Sequence, residues 1–122
     1  MIPAAFEYHA ATSLQQAVKL LRRYDGEARV LAGGMSLIPM MKLRIANLSA
    51  VIDLGRIKGL SFINETFDAL TIGPMTTHYL LESSDVVRGR VPLLTETVTA
   101  VGDLQVRNRG TIGGSVAQAD PA

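Results

Sequence analysis

Ala28-Arg29-Val30-Leu31-Ala32-Gly33-Gly34-Met35-Ser36-Leu37-Ile38-Pro39-Met40-Met41 decides the fold, because it reads as a strand, a glycine turn and a helix in succession. Ala28 to Ala32 has the length and apolarity of a short buried strand, stopped by Gly33-Gly34. Leu37 to Ile45 follows as a helix, with Pro39 in the first turn, where its missing N–H has no helical partner to lose. The spacing of Leu37, Met40, Met41 and Arg44 leaves that helix one apolar face. Ala50-Val51-Ile52-Asp53-Leu54 is a second buried strand, ended by Gly55. Upstream, Phe6 to His9 alternates in character like an edge strand. Thr12-Ser13-Leu14-Gln15 predicts a capping box, Gln15 reaching back to the Thr12 N–H. Leu14, Ala17, Val18 and Leu21 then form an apolar stripe, with Gln15, Lys19, Arg22 and Arg23 on the wet side and Asp25-Gly26 as the stop. Helix, strand, helix, strand in this order predicts parallel pairing through a right-handed crossover.

Beyond Gly59 the period changes. Leu60 to Ile63 and Ala69 to Ile72 read as two strands of a hairpin around Asn64 to Asp68. Thr77 to Leu81 is expected to be a short helix capped by Thr76 or Thr77. Pro92 suits the first turn of another helix, running to about Val101 with Leu94, Thr97, Val98 and Val101 on one side and Gly102 as its end. Asp103 to Gly110 leads into a second glycine-rich turn, Gly110-Thr111-Ile112-Gly113-Gly114-Ser115. The expected class is α+β. Residues 1–58 form an α/β-type unit, and 59–122 begin another.

The two glycine turns carry the functional reading. Glycine admits positive φ and lacks the Cβ that blocks close approach. Successive free N–H groups in such a turn form a nest of anion size. Ser36 is placed both to cap the following helix and to bond an anion, and Thr111 and Ser115 bracket the second turn in the same manner. Lys42 and Arg44 lie beyond the first turn; Arg107 and Arg109, just before the second, either pair with an anion or stand as solvated charges. Two nests together suit a diphosphate, and so a dinucleotide. No Gly-Lys-Ser/Thr follows either turn and neither reads G-x-G-x-x-G, which argues against a Walker A or an ordinary Rossmann site.

Composition excludes other classes. The 122 residues are 48% hydrophobic and 19% charged, as expected of a packed α/β protein rather than a disordered chain. A formal net charge of +1, with basic residues scattered, provides no field for nucleic acid. There is no cysteine, so disulfides, zinc–thiolate sites, iron–sulfur ligation and thiol catalysis by this chain are excluded. No apolar run approaches the roughly 18 residues of a membrane span, and the first residues do not read as a secretory signal, so a cytoplasmic location is expected. His9 and His78 stand far apart without metal-ligand spacing, and surface or turn places are expected for both. Asp53, Asp68, Asp85 and Asp103 form no evident acid–base pair. Met40, Met41 and Met75 read as core filler.

The run Val30 to Arg44 resembles the first flavin loop of the medium subunits of aerobic carbon monoxide dehydrogenase and its relatives, the FAD-binding subunits of the xanthine dehydrogenase-like molybdenum hydroxylases. Gln105 to Ser115, through Asp120-Pro121, resembles their second flavin loop. Ile2 to Tyr8 and Gly73-Pro74-Met75-Thr76-Thr77 match as well. The resemblance implies a fold of the vanillyl-alcohol-oxidase (PCMH) type, with 1–58 a front lobe and 59–122 the start of a second lobe. It implies that Ala32, Gly33, Gly34, Met35, Ser36 and Leu37 wrap the FAD diphosphate, largely through backbone N–H groups. It further implies that Gly110, Thr111, Ile112, Gly113, Gly114 and Ser115 hold its other side and the ribityl region. Val101 and Gly102 would border the adenine, and Asp120 a polar edge of the cofactor. Met35 and Ser115 depart from the pattern, standing where histidine and asparagine are common.

By the same resemblance the molybdopterin lies on a large partner subunit and the [2Fe–2S] clusters on a small one. Electrons pass through FAD to an external acceptor, in a hetero-oligomer. Family members run to more than twice this length, and Val116 to Ala122 closes on no further element, so part of a longer domain is expected. The other function classes are a flavin-free assembly or dimerisation module and a stand-alone phosphate or nucleotide binder.

Overall fold

The computed structural model describes residues 5–43 and 48–118. They fall into two compact units, Met1–Lys58 and Gly59–Ala122.

The first unit runs β1 (Glu7–Ala10), α1 (Leu14–Tyr24), β2 (Ala28–Leu31), α2 (Leu37–Lys42) and β3 (Ala50–Asp53). The strands form a parallel sheet in the order β1-β3-β2, with Ala50 aligned with Glu7 on one side and Ala28 on the other. Parallel pairing follows from the helical crossovers, since two parallel strands cannot be joined by a tight turn. β3 is the central strand, and Ala50, Val51 and Ile52 are all buried. This is the two-faced burial that makes such a strand continuously apolar. β2, expected to be buried, lies instead at an edge, and Arg29 and Val30 are exposed.

The core of this unit is Ala11, Ala17, Ala28, Ala50 and Ile52, flanked by Leu20, Leu21, Tyr24, Leu54 and Ile57. α1 therefore packs through Ala17, Leu20, Leu21 and Tyr24, while Leu14 and Val18 of the expected stripe are 52% and 43% exposed. Its cap also lies one residue later than expected. The Ser13 side chain accepts from the Gln16 N–H, and Gln16 Oε1 accepts from the Thr12 N–H at 2.7 Å, so Gln16 replaces Gln15 in the reciprocal pair.

At the other end of α1 the Tyr24 hydroxyl donates to the Glu7 carboxylate, and His9 Nε2 lies 2.8 Å from the same hydroxyl. The Tyr24 bond, and then His9, hold the Glu7 carboxyl below the ordinary carboxylate range. Ionised Glu7 therefore stabilises the fold above its unfolded value of about 4.3, and the contribution disappears as pH falls through the lower folded value. Glu7→Gln is expected to be less stable than wild type in urea at pH 7 and to converge with it near pH 3. An equal gap at both pH values would contradict this.

The second unit runs β4 (Ile63–Glu65), β5 (Leu70–Ile72), α3 (His78–Glu82), α4 (Asp85–Arg90), α5 (Pro92–Thr99), α6 (Leu104–Arg109) and α7 (Ile112–Gln118). β4 and β5 pair antiparallel, with Glu65 opposite Leu70, so the hairpin loop is shorter than expected and β4 starts three residues later. Leu81, Val87 and Val98 form the core with Ile63, Leu70, Ile72, Leu94 and Ile112 packed against it. Thr77 caps α3 through the Leu80 N–H, as the sequence predicts. α4, α6 and α7 were not expected. Ser84 and Asp103 cap the first two by accepting from the Val87 and Val106 N–H groups. Among the described residues, no helix is long and apolar enough to cross a membrane.

Candidate functional site

The first glycine segment lies between β2 and α2. Leu54 N–H donates to Leu31 O at 3.0 Å, fixing the end of β2 against the residue after β3. The chain then reverses through Gly34, whose φ is +83°. A side chain is strained there, and a Cβ would sit 2.7 Å from Ile38 Cδ1. The carbonyls of Gly34 and Ser36 accept from Ile38 and Met40, so the acceptors of the loop turn toward the helix. The donors do not. Among the described residues, the N–H groups of Gly33, Gly34, Met35, Ser36 and Leu37 meet no protein acceptor. Ser36 occupies the N-cap position yet makes no side-chain cap bond, contrary to expectation, and is exposed. Among the described residues these five successive N–H groups meet no acceptor, and such a donor set suits an anion rather than a cation. Arg44, expected on the inner face of α2, lies outside the described residues.

The second segment is a different object. It is no nest: Gly113 and Gly114 lie within α7, and Gly110 caps α6 in an extended conformation. The N–H groups of Gly110, Ile112, Gly113, Gly114 and Ser115 are engaged. Gly110 donates to Val106 O at 2.7 Å, Ile112 to Thr76 O at 3.0 Å, Gly113 to Pro74 O at 2.9 Å, and Ser115 to Thr111 O at 3.0 Å. Gly114 N–H donates to Thr111 Oγ1 at 3.0 Å. The glycine at position 113 serves internal packing, since a Cβ there would lie 2.6 Å from Pro74 O. What this segment offers to a ligand is therefore side-chain chemistry, chiefly the exposed Ser115.

Ser115 Oγ lies 2.9 Å from Nε2 of His78. His78 is not at the surface as expected; it is 3% exposed, at the start of α3. Burial pushes its imidazole pKa down and keeps the ring neutral. Arg107 is neither solvated nor free for an anion. Its Nε donates to Glu82 Oε2 at 2.9 Å, and its Nη1 reaches the carbonyls of Thr99, Val101 and Gly102. Val101 and Gly102, expected to border the adenine, are thus held through their oxygens at the end of α5. Asp120 lies outside the described residues. Neither the pairing of His78 with Ser115 nor that of Arg107 with Glu82 carried a local signal, because the partners are 37 and 25 residues apart.

The family described as FAD binding domain in molybdopterin dehydrogenase matches residues 4–122. The chain belongs to that family. FAD is the cofactor its domain binds. The chain is 50% identical over 121 residues to the carbon monoxide dehydrogenase medium chain of Hydrogenophaga pseudoflava, covering 99% of this chain and 42% of that one. It is 43% identical over 122 residues to the glyceraldehyde dehydrogenase medium chain of Sulfolobus acidocaldarius, covering 100% of this chain and 43% of that one. It superimposes with a TM-score of 0.95 and 50% identity on carbon monoxide dehydrogenase from Hydrogenophaga pseudoflava lacking the Mo-pyranopterin moiety, over 99% of this chain and 42% of that one. The mixed helix and strand architecture is thus that of a carbon monoxide dehydrogenase FAD subunit. The chain spans less than half the length of these relatives.

Proposed function

We propose that this chain supplies the diphosphate-binding part of an FAD-carrying medium subunit in a molybdenum hydroxylase. The observation that carries the reading is the run of N–H groups from Gly33 to Leu37 that meet no acceptor among the described residues. In this reading those donors and the Ser36 hydroxyl bind the two phosphates, and Ala32 and Met35 border them. Bound FAD supplies both two-electron and one-electron exchange. The chain's own part is to bind and orient that cofactor. Large and small partner subunits carry molybdopterin and [2Fe–2S] clusters, and electrons leave for an external acceptor. The substrate is set on a partner. The fold is of the PCMH type, residues 1–58 forming the front lobe and 59–122 beginning the second, and the assembly is cytoplasmic. In this reading the engaged N–H groups of Gly110, Ile112, Gly113, Gly114 and Ser115 leave side chains to meet the cofactor there.

The test is a fluorescence titration of the chain with FAD, competed by ADP and by FMN. Saturable binding reversed by ADP and not by FMN supports the reading. Gly34→Ala is expected to weaken FAD binding about tenfold, because a side chain in left-handed backbone costs about 1–2 kcal/mol and its relief moves the donors. Unchanged affinity would remove the first loop from the site. Absence of FAD binding by wild type would favour the flavin-free assembly module.

A further inference from the structure

Among the described residues the His78 ring makes one polar contact, through Nε2 to Ser115 Oγ at 2.9 Å. Its Nδ1 is buried without a partner among the described residues. A neutral imidazole carries one N–H and one bare nitrogen, and either can face the serine. If Nε2 accepted from Ser115, the proton would sit on Nδ1 as an orphaned buried N–H, which is rarer in proteins than an under-satisfied acceptor. The tautomer that leaves no orphaned N–H in this buried position carries the proton on Nε2 and donates it to Ser115 Oγ. Gly110 keeps the ring close, since a Cβ there would lie 3.0 Å from His78 Cδ2.

The consequence falls on the serine. A helical serine commonly turns its hydroxyl back to the carbonyl four residues earlier. Here no such bond is made among the described residues, and the hydroxyl oxygen instead lies against His78 Nε2. With its oxygen already accepting, the hydroxyl keeps its proton for an outside acceptor, and Ser115 is exposed. We infer that His78 is a positioning residue that fixes the Ser115 hydroxyl as a hydrogen-bond donor toward an acceptor oxygen of bound FAD. The inference rests on the FAD reading above. It adds a buried residue that touches no ligand and a polarity for the one that does.

The first readout needs no flavin. Nitrogen-15 shifts of the His78 ring in the folded chain at pH 7.5 are expected to show a protonated Nε2 and a bare Nδ1; the reverse tautomer would overturn the inference. The second is a double-mutant cycle on FAD affinity. Ser115→Ala is expected to weaken binding about fivefold, the worth of one hydrogen bond near 1 kcal/mol. His78→Phe should weaken it by a similar factor, and the double variant should be no worse than either. Losses that multiply to about 25-fold would show two independent roles and overturn the coupling. His78→Gln, which retains a donor, should restore part of the affinity, and it stands in if His78→Phe fails to fold. FAD binding by wild type with an unaffected Ser115→Ala would overturn this inference alone. No FAD binding by wild type would overturn the functional reading as well.

Discussion

Gly113→Val is expected to lower the thermal midpoint of the second unit by roughly 10 °C in the absence of any flavin. The Cβ would lie 2.6 Å from Pro74 O and 2.8 Å from Pro74 Cβ. The first of these atoms is backbone that already accepts the Gly113 N–H, so neither partner can withdraw without breaking a bond. Overpacking of this kind costs about 1–3 kcal/mol, and valine, with two further methyl groups, belongs at the upper end. A chain of this size loses about 4 °C per kcal/mol. Circular dichroism melts of Gly113→Ala and Gly113→Val check it. If both melted with wild type and only lost flavin, Gly113 would be a ligand contact and not a packing contact.

Arg107→Ala has the second large expected effect. Arg107 joins three elements: it pairs with Glu82 of α3, starts from α6, and bonds the carbonyls of Thr99, Val101 and Gly102 at the C-terminal end of α5. Its side chain is 14% exposed and that of Glu82 is 27%. Truncation leaves the carboxylate and three carbonyls short of a donor. Removing one partner of a well-buried pair costs about 3–5 kcal/mol, and the partial exposure reduces this to about 2–3 kcal/mol. Arg107→Lys keeps the charge but cannot fan donors to four acceptors, and should lose about half as much. The Arg88–Asp85 pair, with side chains 54% and 94% exposed, is the internal comparison. Arg88→Ala is expected to shift stability by less than about 1 kcal/mol. Urea unfolding of the three variants checks the order, and equal losses at Arg107 and Arg88 would contradict it.

The first unit was legible because its signals are local. A capping signal read to within one residue, a stop at Asp25-Gly26 and a continuously apolar Ala50 to Ile52 each act locally. The inner face of α1 was not, because Ala17 and Leu21 belong to two overlapping stripes. Only contact with the sheet selects Leu20 and Tyr24 over Leu14 and Val18. In the second unit, α6 and α7 were hidden by composition. A helical glycine costs about 1 kcal/mol relative to alanine, so Gly113-Gly114 reads as a turn until the contact with Pro74 that offsets the cost is known. The candidate site divides in the same way. The first glycine pair was readable as a turn because it sits between a strand and a helix. The second was misread as a nest because its donors are taken by Thr76, Pro74 and Thr111, and the partnership of His78 with Ser115 spans 37 residues.

The central claim is that the N–H groups of Gly33 to Leu37 bind the FAD diphosphate, and amide chemical-shift mapping of the labelled chain tests it most directly. On titration with FAD, the amide signals of Gly33, Gly34, Met35, Ser36 and Leu37 are expected to shift saturably, and ADP should reproduce the shifts. The amides of Ile112, Gly113 and Gly114, already bonded within the protein, should move far less. Saturating FAD that leaves the Gly33 to Leu37 amides in place would contradict the account.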